Sequence, residues 1–266
     1  MSARRTALIT GASAGIGEAF AAVFAAHGFD LVLTARREDR LRALAASLEQ
    51  RNGVRVHVYR EDLSDPSAPG RLCSAIHADG LAIDALVNNA GFGVAGTLLK
   101  SEWPRHEEFL QVLLVAVVEL SYRLLPPMLD RGYGRIINVA SLAGLLPGIA
   151  GHTLYAATKS FLIRFSESLS SEVGDRGVNV TAVCPGFTFS EFHDVNGTRH
   201  IVSRLPAFMW MKSDEVARKG YDAVMRGQAV FVPGRVNAAI ATLARVLPQG
   251  LVHAMNRGAG SRYRKT

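Results

Sequence analysis

Seven short apolar runs alternate with helix-patterned stretches along most of this chain, and that alternation is the strongest constraint on its fold. The runs are Ala7–Thr10, Phe29–Ala35, Val54–Tyr59, Leu81–Val87, Arg135–Ala140, Val178–Cys184 and Ala229–Val232. Most are apolar at consecutive positions, as strands covered on both faces are. Helical spacing fills residues 18–26, 37–51, a stretch opened by Asp65-Pro66, 106–129, Tyr155 to about 173, and 213–226. The 106–129 helix is expected to end around Pro126-Pro127. Strands separated by helices predict an α/β fold: a doubly wound parallel sheet of about seven strands with right-handed crossovers. Ligands on such sheets lie beyond the carboxyl ends of the strands. Gly11, Arg36, Asp62, Asn89, Ser141 and Pro185 all follow strand ends, so they are expected to converge on one crevice.

The first strand runs into Gly11-Ala-Ser-Ala-Gly15-Ile-Gly17 and then a helix. Glycines let the backbone turn tightly and approach a pyrophosphate, and the helix N-terminus offers free N–H groups to the anion. Glycine turns are common, but strand, glycine turn and helix together give the context of a dinucleotide site. The second strand ends in Ala35-Arg36-Arg37. An acid there would take the ribose 2′-hydroxyl of NAD; arginine suits a 2′-phosphate, so NADP(H) is the expected cofactor.

Tyr155 and Lys159 stand four residues apart at the start of a helical pattern, so they share a face. A lysine ammonium beside a phenol lowers the tyrosine pKa and fits it for proton transfer. Ser141, at the end of the fifth run, is placed to hold a substrate oxygen as charge develops on it. A pair of this spacing is common by chance; its standing here comes from the motifs around it.

Composition narrows the alternatives. With 48% hydrophobic and 20% charged residues the chain has a sizeable core. No linker or repeat interrupts it, so residues 1–266 are expected to form one domain. The net charge of +7 is spread along the chain with no nucleic-acid motif beside it, so no nucleic-acid partner is expected. Cys73 and Cys184 are far apart, and no metal-binding histidine spacing occurs, so a reducing, cytoplasmic setting without a metal site is expected. The most apolar stretch, Leu110 to Leu125, is broken by Gln111, Glu119 and Arg123, so no membrane span is expected.

Taken together, Thr10-Gly-x-x-x-Gly-x-Gly17, Asn88-Asn-Ala-Gly91, Ser141, Tyr155-x-x-x-Lys159 and Pro185-Gly186 resemble the short-chain dehydrogenase/reductase family in order and approximate spacing, from residue 6 to about 190. The resemblance implies a Rossmann-type domain and hydride transfer between a nicotinamide and a carbonyl or alcohol carbon. By the same resemblance Tyr155 is the general acid/base, Lys159 lowers its pKa and binds the nicotinamide ribose, and Ser141 holds the substrate oxygen. Gly11, Ser13, Ala14, Gly15, Ile16 and Gly17 would line the pyrophosphate, with Arg36 and Arg37 at the 2′-phosphate. Asp62 and Leu63 would border the adenine, and Asn89, Ala90 and Gly91 the central wall. Pro185, Gly186 and Thr188 would follow the nicotinamide end. A homodimer or homotetramer is the expected assembly.

Two departures stand out. The family asparagine that holds a water linking the lysine to solvent is replaced: the matching stretch reads Val112-Leu113-Leu114. A slower proton relay is expected, with the backbone carbonyl at 113 still able to hold water. The Ser141–Tyr155 spacing is also one residue longer than the commonest, which the glycine-rich loop can absorb.

After Pro185-Gly186, residues 187–212 are expected to form a substrate lid. Phe187, Phe189, Phe192, Phe208, Met209, Trp210 and Met211, with Phe92, Leu142, Leu145 and Leu146, imply an apolar pocket for a hydrophobic ketone or secondary alcohol, or else core or oligomer contacts. The segment from about 234 to 266 reads as helical and ends in a basic tail, Arg262-Tyr-Arg-Lys265. The expected activity is an NADPH-dependent carbonyl reductase, reversible as an alcohol dehydrogenase. The alternative is a cofactor-binding protein with weak or no catalysis because of Leu113. A nucleotide-sugar epimerase or dehydratase is disfavoured, because its glycine pattern and larger C-terminal domain are lacking.

Overall fold

The structure, a computed structural model, describes residues 4–94, 96–148, 150–151, 153–189, 191, 206 and 209–247. Its centre is a seven-stranded parallel sheet. The strands are β1 (Thr6–Thr10), β2 (Asp30–Ala35), β3 (Val56–Arg60), β4 (Ile83–Asn88), β5 (Gly134–Val139), β6 (Val178–Val183) and β9 (Val230–Phe231). They lie side by side in the order β3-β2-β1-β4-β5-β6-β9. The strand order reverses between β1 and β4, which opens a crevice at their carboxyl ends.

Alternating strand residues divide the core. Ala7, Ile9, Leu31, Leu33, Ala85, Val87 and Ile137 face one way and pack with Phe20 and Phe24 of α1 (Gly15–Ala26) and Leu41 and Leu48 of α2 (Glu38–Asn52). Leu8, Val32, Leu86 and Ile136 face the other way, onto α3 (Ala68–Ala78), α4 (Trp103–Leu110), α5 (Ala116–Asp130) and α6 (Thr153–Val173). Burial on both faces is why these strands read as continuous apolar runs.

Three features differ from expectation. First, α4 and α5 form one continuous helical rod through a π-turn at Gln111–Val115, in which Ala116 N–H bonds the Gln111 carbonyl. Pro126 and Pro127 sit inside its last turns with exposed rings, and the helix continues to Asp130. Second, this rod, Trp103–Asp130, is long and apolar enough by length and composition to cross a membrane. It nevertheless packs Phe109, Leu113, Leu120 and Met128 into the core beneath β4 and β5, as a core helix does. Third, two three-residue strands, β7 (Phe187–Phe189) and β8 (Trp210–Lys212), pair in parallel as a separate ribbon. Trp210 stacks on Phe189 with ring centroids 4.7 Å apart. Beyond the ribbon come α7 (Ser213–Met225) and α8 (Arg235–Val246). Phe192, Phe208 and residues 248–266, with the basic tail, lie outside the described residues.

Candidate active site

The glycine turn between β1 and α1 is fixed by its neighbours. Gly11 and Gly15 have φ of 65° and 62°, a region costly for side-chain-bearing residues. A Cβ on Gly17 would run into the Gly11 carbonyl oxygen and lie 2.5 Å from Asn89 Nδ2. Thr10 Oγ1 accepts from the N–H groups of Asn89 (2.9 Å) and Ala90 (3.0 Å) and donates to the Val87 carbonyl (3.2 Å). Asn89 Nδ2 donates to the Thr10 and Gly11 carbonyls at 2.9 and 3.3 Å. The turn is thereby bolted to the end of β4. No side chain caps the N-terminus of α1, so its first N–H groups stay open to an anion.

At the end of β2 the two arginines part company. Arg36 is mostly exposed and lies 4.0 Å from Asp62 Oδ2. Arg37 folds back onto the glycine turn, donating to Ser13 Oγ from Nε (3.2 Å) and Nη2 (3.0 Å). Its Nη1, and Nη1 of Arg40 on α2, each donate at 2.7 Å to the two oxygens of Glu191. These bonds to Arg37 and Arg40 hold the Glu191 carboxyl below its ordinary value. Leu63 is buried in the core at the neighbouring edge.

On the far side of the crevice, Ser141 opens the short turn Leu142–Gly144, and its Oγ accepts from Ala143 N–H at 3.1 Å. Its hydroxyl is also hydrogen-bonded to the Tyr155 phenol. The turn lies directly on α6: a Cβ on Gly144 would stand 2.6 Å from the Lys159 carbonyl carbon. The end of β6 joins in, since Leu142 N–H donates to the Pro185 carbonyl at 2.9 Å. Beneath them runs a buried amide chain that sequence reasoning missed. Asn88 Nδ2 donates to Asn138 Oδ1 (2.9 Å), and Asn138 Nδ2 to Ser166 Oγ of α6 (2.9 Å). It locks the helix carrying Tyr155 and Lys159 to β4 and β5.

Lys159 and Tyr155 are both shaped by burial. Lys159 is 7% exposed, and its Nζ donates to the Val139 carbonyl at 2.7 Å while standing 5.8 Å from the centre of the Tyr155 ring. Burial lowers the Lys159 pKa to about 8. Burial also holds the Tyr155 phenol above its ordinary value, with the Ser141 hydrogen bond pulling it down. One N–H of the lysine is thus held by a backbone carbonyl, and the downward pull on the Tyr155 phenol comes from Ser141.

Tyr155 borders a small, partly open niche that also includes Val94, Gly96, Thr97, Leu98, His106, Phe109 and Leu154. Several of the apolar residues singled out in the sequence lie elsewhere among the described residues. Phe92 packs edge-to-face on Phe109 in the core, Leu142 is buried, and Leu145 packs with Ala140 and Leu162. Leu113 is 1% exposed beneath Gly91, within 3.6 Å of where a Gly91 Cβ would stand. Thr188 is buried, its Oγ1 donating to the Gly186 carbonyl at 3.1 Å, and Gly186 lies against the Asn237 amide.

The fold thus gathers Gly11–Gly17 with Asn89–Gly91, Ser13 with Arg37, and Ser141 with Tyr155 and Lys159. Arg40 and Glu191 were missed, as were the pocket residues of α4. Arg40 had a readable signal, one helical turn from Arg37; Glu191 had none.

The short chain dehydrogenase family matches residues 5–199. Nodulation protein G of Rhizobium sp. (strain N33) is 36% identical over 239 residues, covering 86% of this chain and 96% of that protein. A short-chain dehydrogenase from Sphingobium yanoikuyae, solved in complex with NADPH, superposes with a TM-score of 0.80 at 32% identity, covering 92% of this chain and 96% of that one. The bulky-bulky ketone specific alcohol dehydrogenase from Comamonas testosteroni superposes with a TM-score of 0.76 at 28% identity, covering 92% and 95%. With this fold, this crevice and these likenesses, the chain belongs to the short-chain dehydrogenase family.

Proposed function

We propose that this NAD(P)-dependent oxidoreductase is an NADPH-dependent carbonyl reductase acting reversibly on hydrophobic ketones and secondary alcohols. The observation that carries the reading is the hydrogen-bonded Ser141–Tyr155 pair, with Lys159 one turn away, at the edge of a largely apolar pocket.

The residues fit NADP(H). The glycine turn leaves no room for a Cβ at Gly17, the N-terminus of α1 is uncapped, and Ser13, Arg37 and Arg40 form a cationic corner already holding a carboxylate. The likeness to a relative solved with NADPH supports the same cofactor. When bound, the nicotinamide supplies or accepts the hydride. Gly11, Ser13, Ala14, Gly15, Ile16 and Gly17 cradle the pyrophosphate. Arg37, more than the exposed Arg36, meets the 2′-phosphate. Asp62 and Leu63 border the adenine, Asn89, Ala90 and Gly91 the central wall, and Pro185, Gly186 and Thr188 the nicotinamide end.

Ser141 donates to the carbonyl oxygen and Tyr155 delivers its proton to that oxygen as the alcohol forms. Lys159 gives one of its three N–H donors to the Val139 carbonyl and keeps two for Tyr155 or a ribose. Val94, Leu98, Phe109 and Leu154 favour an apolar substituent on the substrate. The likeness to an alcohol dehydrogenase specific for bulky ketones points the same way.

The test is NADPH oxidation against a panel of hydrophobic ketones, with NADH in parallel. Turnover with NADPH and much less with NADH supports the reading. Saturable NADPH binding without turnover on any ketone moves the assignment to a cofactor-binding protein in which Leu113 has stalled the proton relay.

A further inference from the structure

We propose that Glu191 is an internal competitor for the cofactor's 2′-phosphate, and that Arg40 is a further ligand of that phosphate. The proposal rests on the NADP(H) reading above and adds two residues that set how strongly the phosphate is felt.

The geometry is that of an anion bridging two guanidinium groups. Each oxygen of the Glu191 carboxylate takes one arginine, Oε2 from Arg37 and Oε1 from Arg40, both at 2.7 Å. Guanidinium forks recognise carboxylate and phosphate oxygens alike, so a carboxylate held this way marks a site a phosphate can take. The corner is fixed to the cofactor crevice by Ser13, whose Oγ accepts two bonds from Arg37 and lies within the glycine turn. Arg40 follows Arg37 by one turn at the start of α2, so both side chains reach the same anion.

Glu191 arrives from elsewhere in the chain. It is separated from Arg37 by 154 residues and follows β7, the strand containing Thr188. Its carboxylate therefore links the β6 side of the crevice to the β2 side. All three side chains are between 42% and 47% exposed, so this clasp is weak and salt-sensitive. A phosphate monoester carries up to about two negative charges near neutral pH and displaces a single carboxylate from two arginines. NADH has no such group and leaves Glu191 in place. The chain thus lowers its own affinity for the phosphorylated cofactor, and removal of the carboxylate raises it.

Calorimetric titration of the intact protein with 2′,5′-ADP and with 5′-AMP isolates the phosphate without any carbonyl substrate. Glu191→Gln is expected to bind 2′,5′-ADP about three- to tenfold tighter in low salt, with 5′-AMP unchanged. Arg40→Met is expected to bind 2′,5′-ADP about three- to tenfold more weakly, again with 5′-AMP unchanged. In the Arg40→Met background, Glu191→Gln should have a smaller effect, because the two share one partner. Unchanged or weaker 2′,5′-ADP binding by Glu191→Gln overturns the proposal while leaving the cofactor reading intact. Equal binding of the two nucleotides by the unsubstituted protein overturns both.

Discussion

The two sides of the crevice are built by different means. On the β1–β4 side, backbone atoms and two small polar side chains, Thr10 and Asn89, close a web of bonds around the glycine turn. On the β5–β6 side the proposed reactive groups are side chains: Ser141, Tyr155 and a buried lysine bonded to a backbone carbonyl. The first side tolerates no added atom at Gly17, and nothing in it has to move a proton. The second side carries a desolvated ammonium and a desolvated phenol, a costly arrangement of the kind that concentrates at reactive centres. On the proposed function a binding surface and a chemical one face each other, and a change on either side should leave a different signature.

The largest expected effect separates them. Tyr155→Phe removes the hydroxyl and keeps the ring, so turnover should fall by about 10²–10⁴-fold. NADPH affinity, read by direct titration, should hardly change, because the glycine turn is untouched. A parallel loss of affinity would show that the two sides do not work independently. Gly17→Ala tests the other side. Its methyl meets a backbone oxygen that cannot rotate away, so the turn must shift, at about 1–3 kcal/mol of stability. Thermal unfolding should show the loss, and nucleotide affinity should fall with it. An unchanged melting temperature and unchanged affinity in the Gly17→Ala variant would mean that the turn has more freedom than its bonds imply.

The same contrast governs what could be read from the sequence. The glycine turn was legible because positive φ and close backbone approach leave few residue types to choose from. The parallel, doubly wound sheet followed from strands and helices alternating, since crossovers have one hand. Ser141 was picked out by its place at a strand end and Tyr155 by its place at a helix start, though not as hydrogen-bonded partners. Three things were not legible. The partner of Lys159 is a backbone carbonyl, which no residue letter reports. The pocket beside Tyr155 draws His106 and Phe109 from α4, and helical spacing alone does not say which neighbour a face meets. Glu191 reaches Arg37 and Arg40 only through the way the chain folds back after Pro185. The β7–β8 ribbon was missed for a simpler reason: three residues are too few for a period to show.

A further prediction weighs the cost on the chemical side. The Lys159 pKa falls from 10.5 to about 8 because burial disfavours the charged form. Below pH 8 the folded and unfolded chains both carry the charge, and the fold bears the full burial cost. Between about pH 8 and 10.5 the unfolded chain keeps a proton that the folded chain has released, so stability rises with pH. Above that range both are neutral and the cost is gone. Lys159→Met should therefore be more stable than the unsubstituted protein near pH 7, by at most about 3 kcal/mol. That advantage should shrink as the pH climbs to 10.5. A difference in melting temperature that stays constant across this range would show that burial of the ammonium is not what strains this side.

The smallest expected effect concerns the π-turn beneath both sides. Leu113 puts an alkyl group where the family resemblance implies an asparagine with a relay water, and α6 packs against this turn. Leu113→Asn should raise turnover a few-fold and flatten its dependence on pH, because protons lost by Tyr155 would be replaced from solvent more quickly. The same substitution places an amide among Phe109, Val112 and Leu120, so stability should drop by about 1–3 kcal/mol. Opposite signs in the two readings are the point of the experiment: a packing change alone would lower both. If turnover stays the same at every pH while stability falls, protons reach Tyr155 by a route that does not cross the π-turn. Leu113 is then a core residue and nothing more.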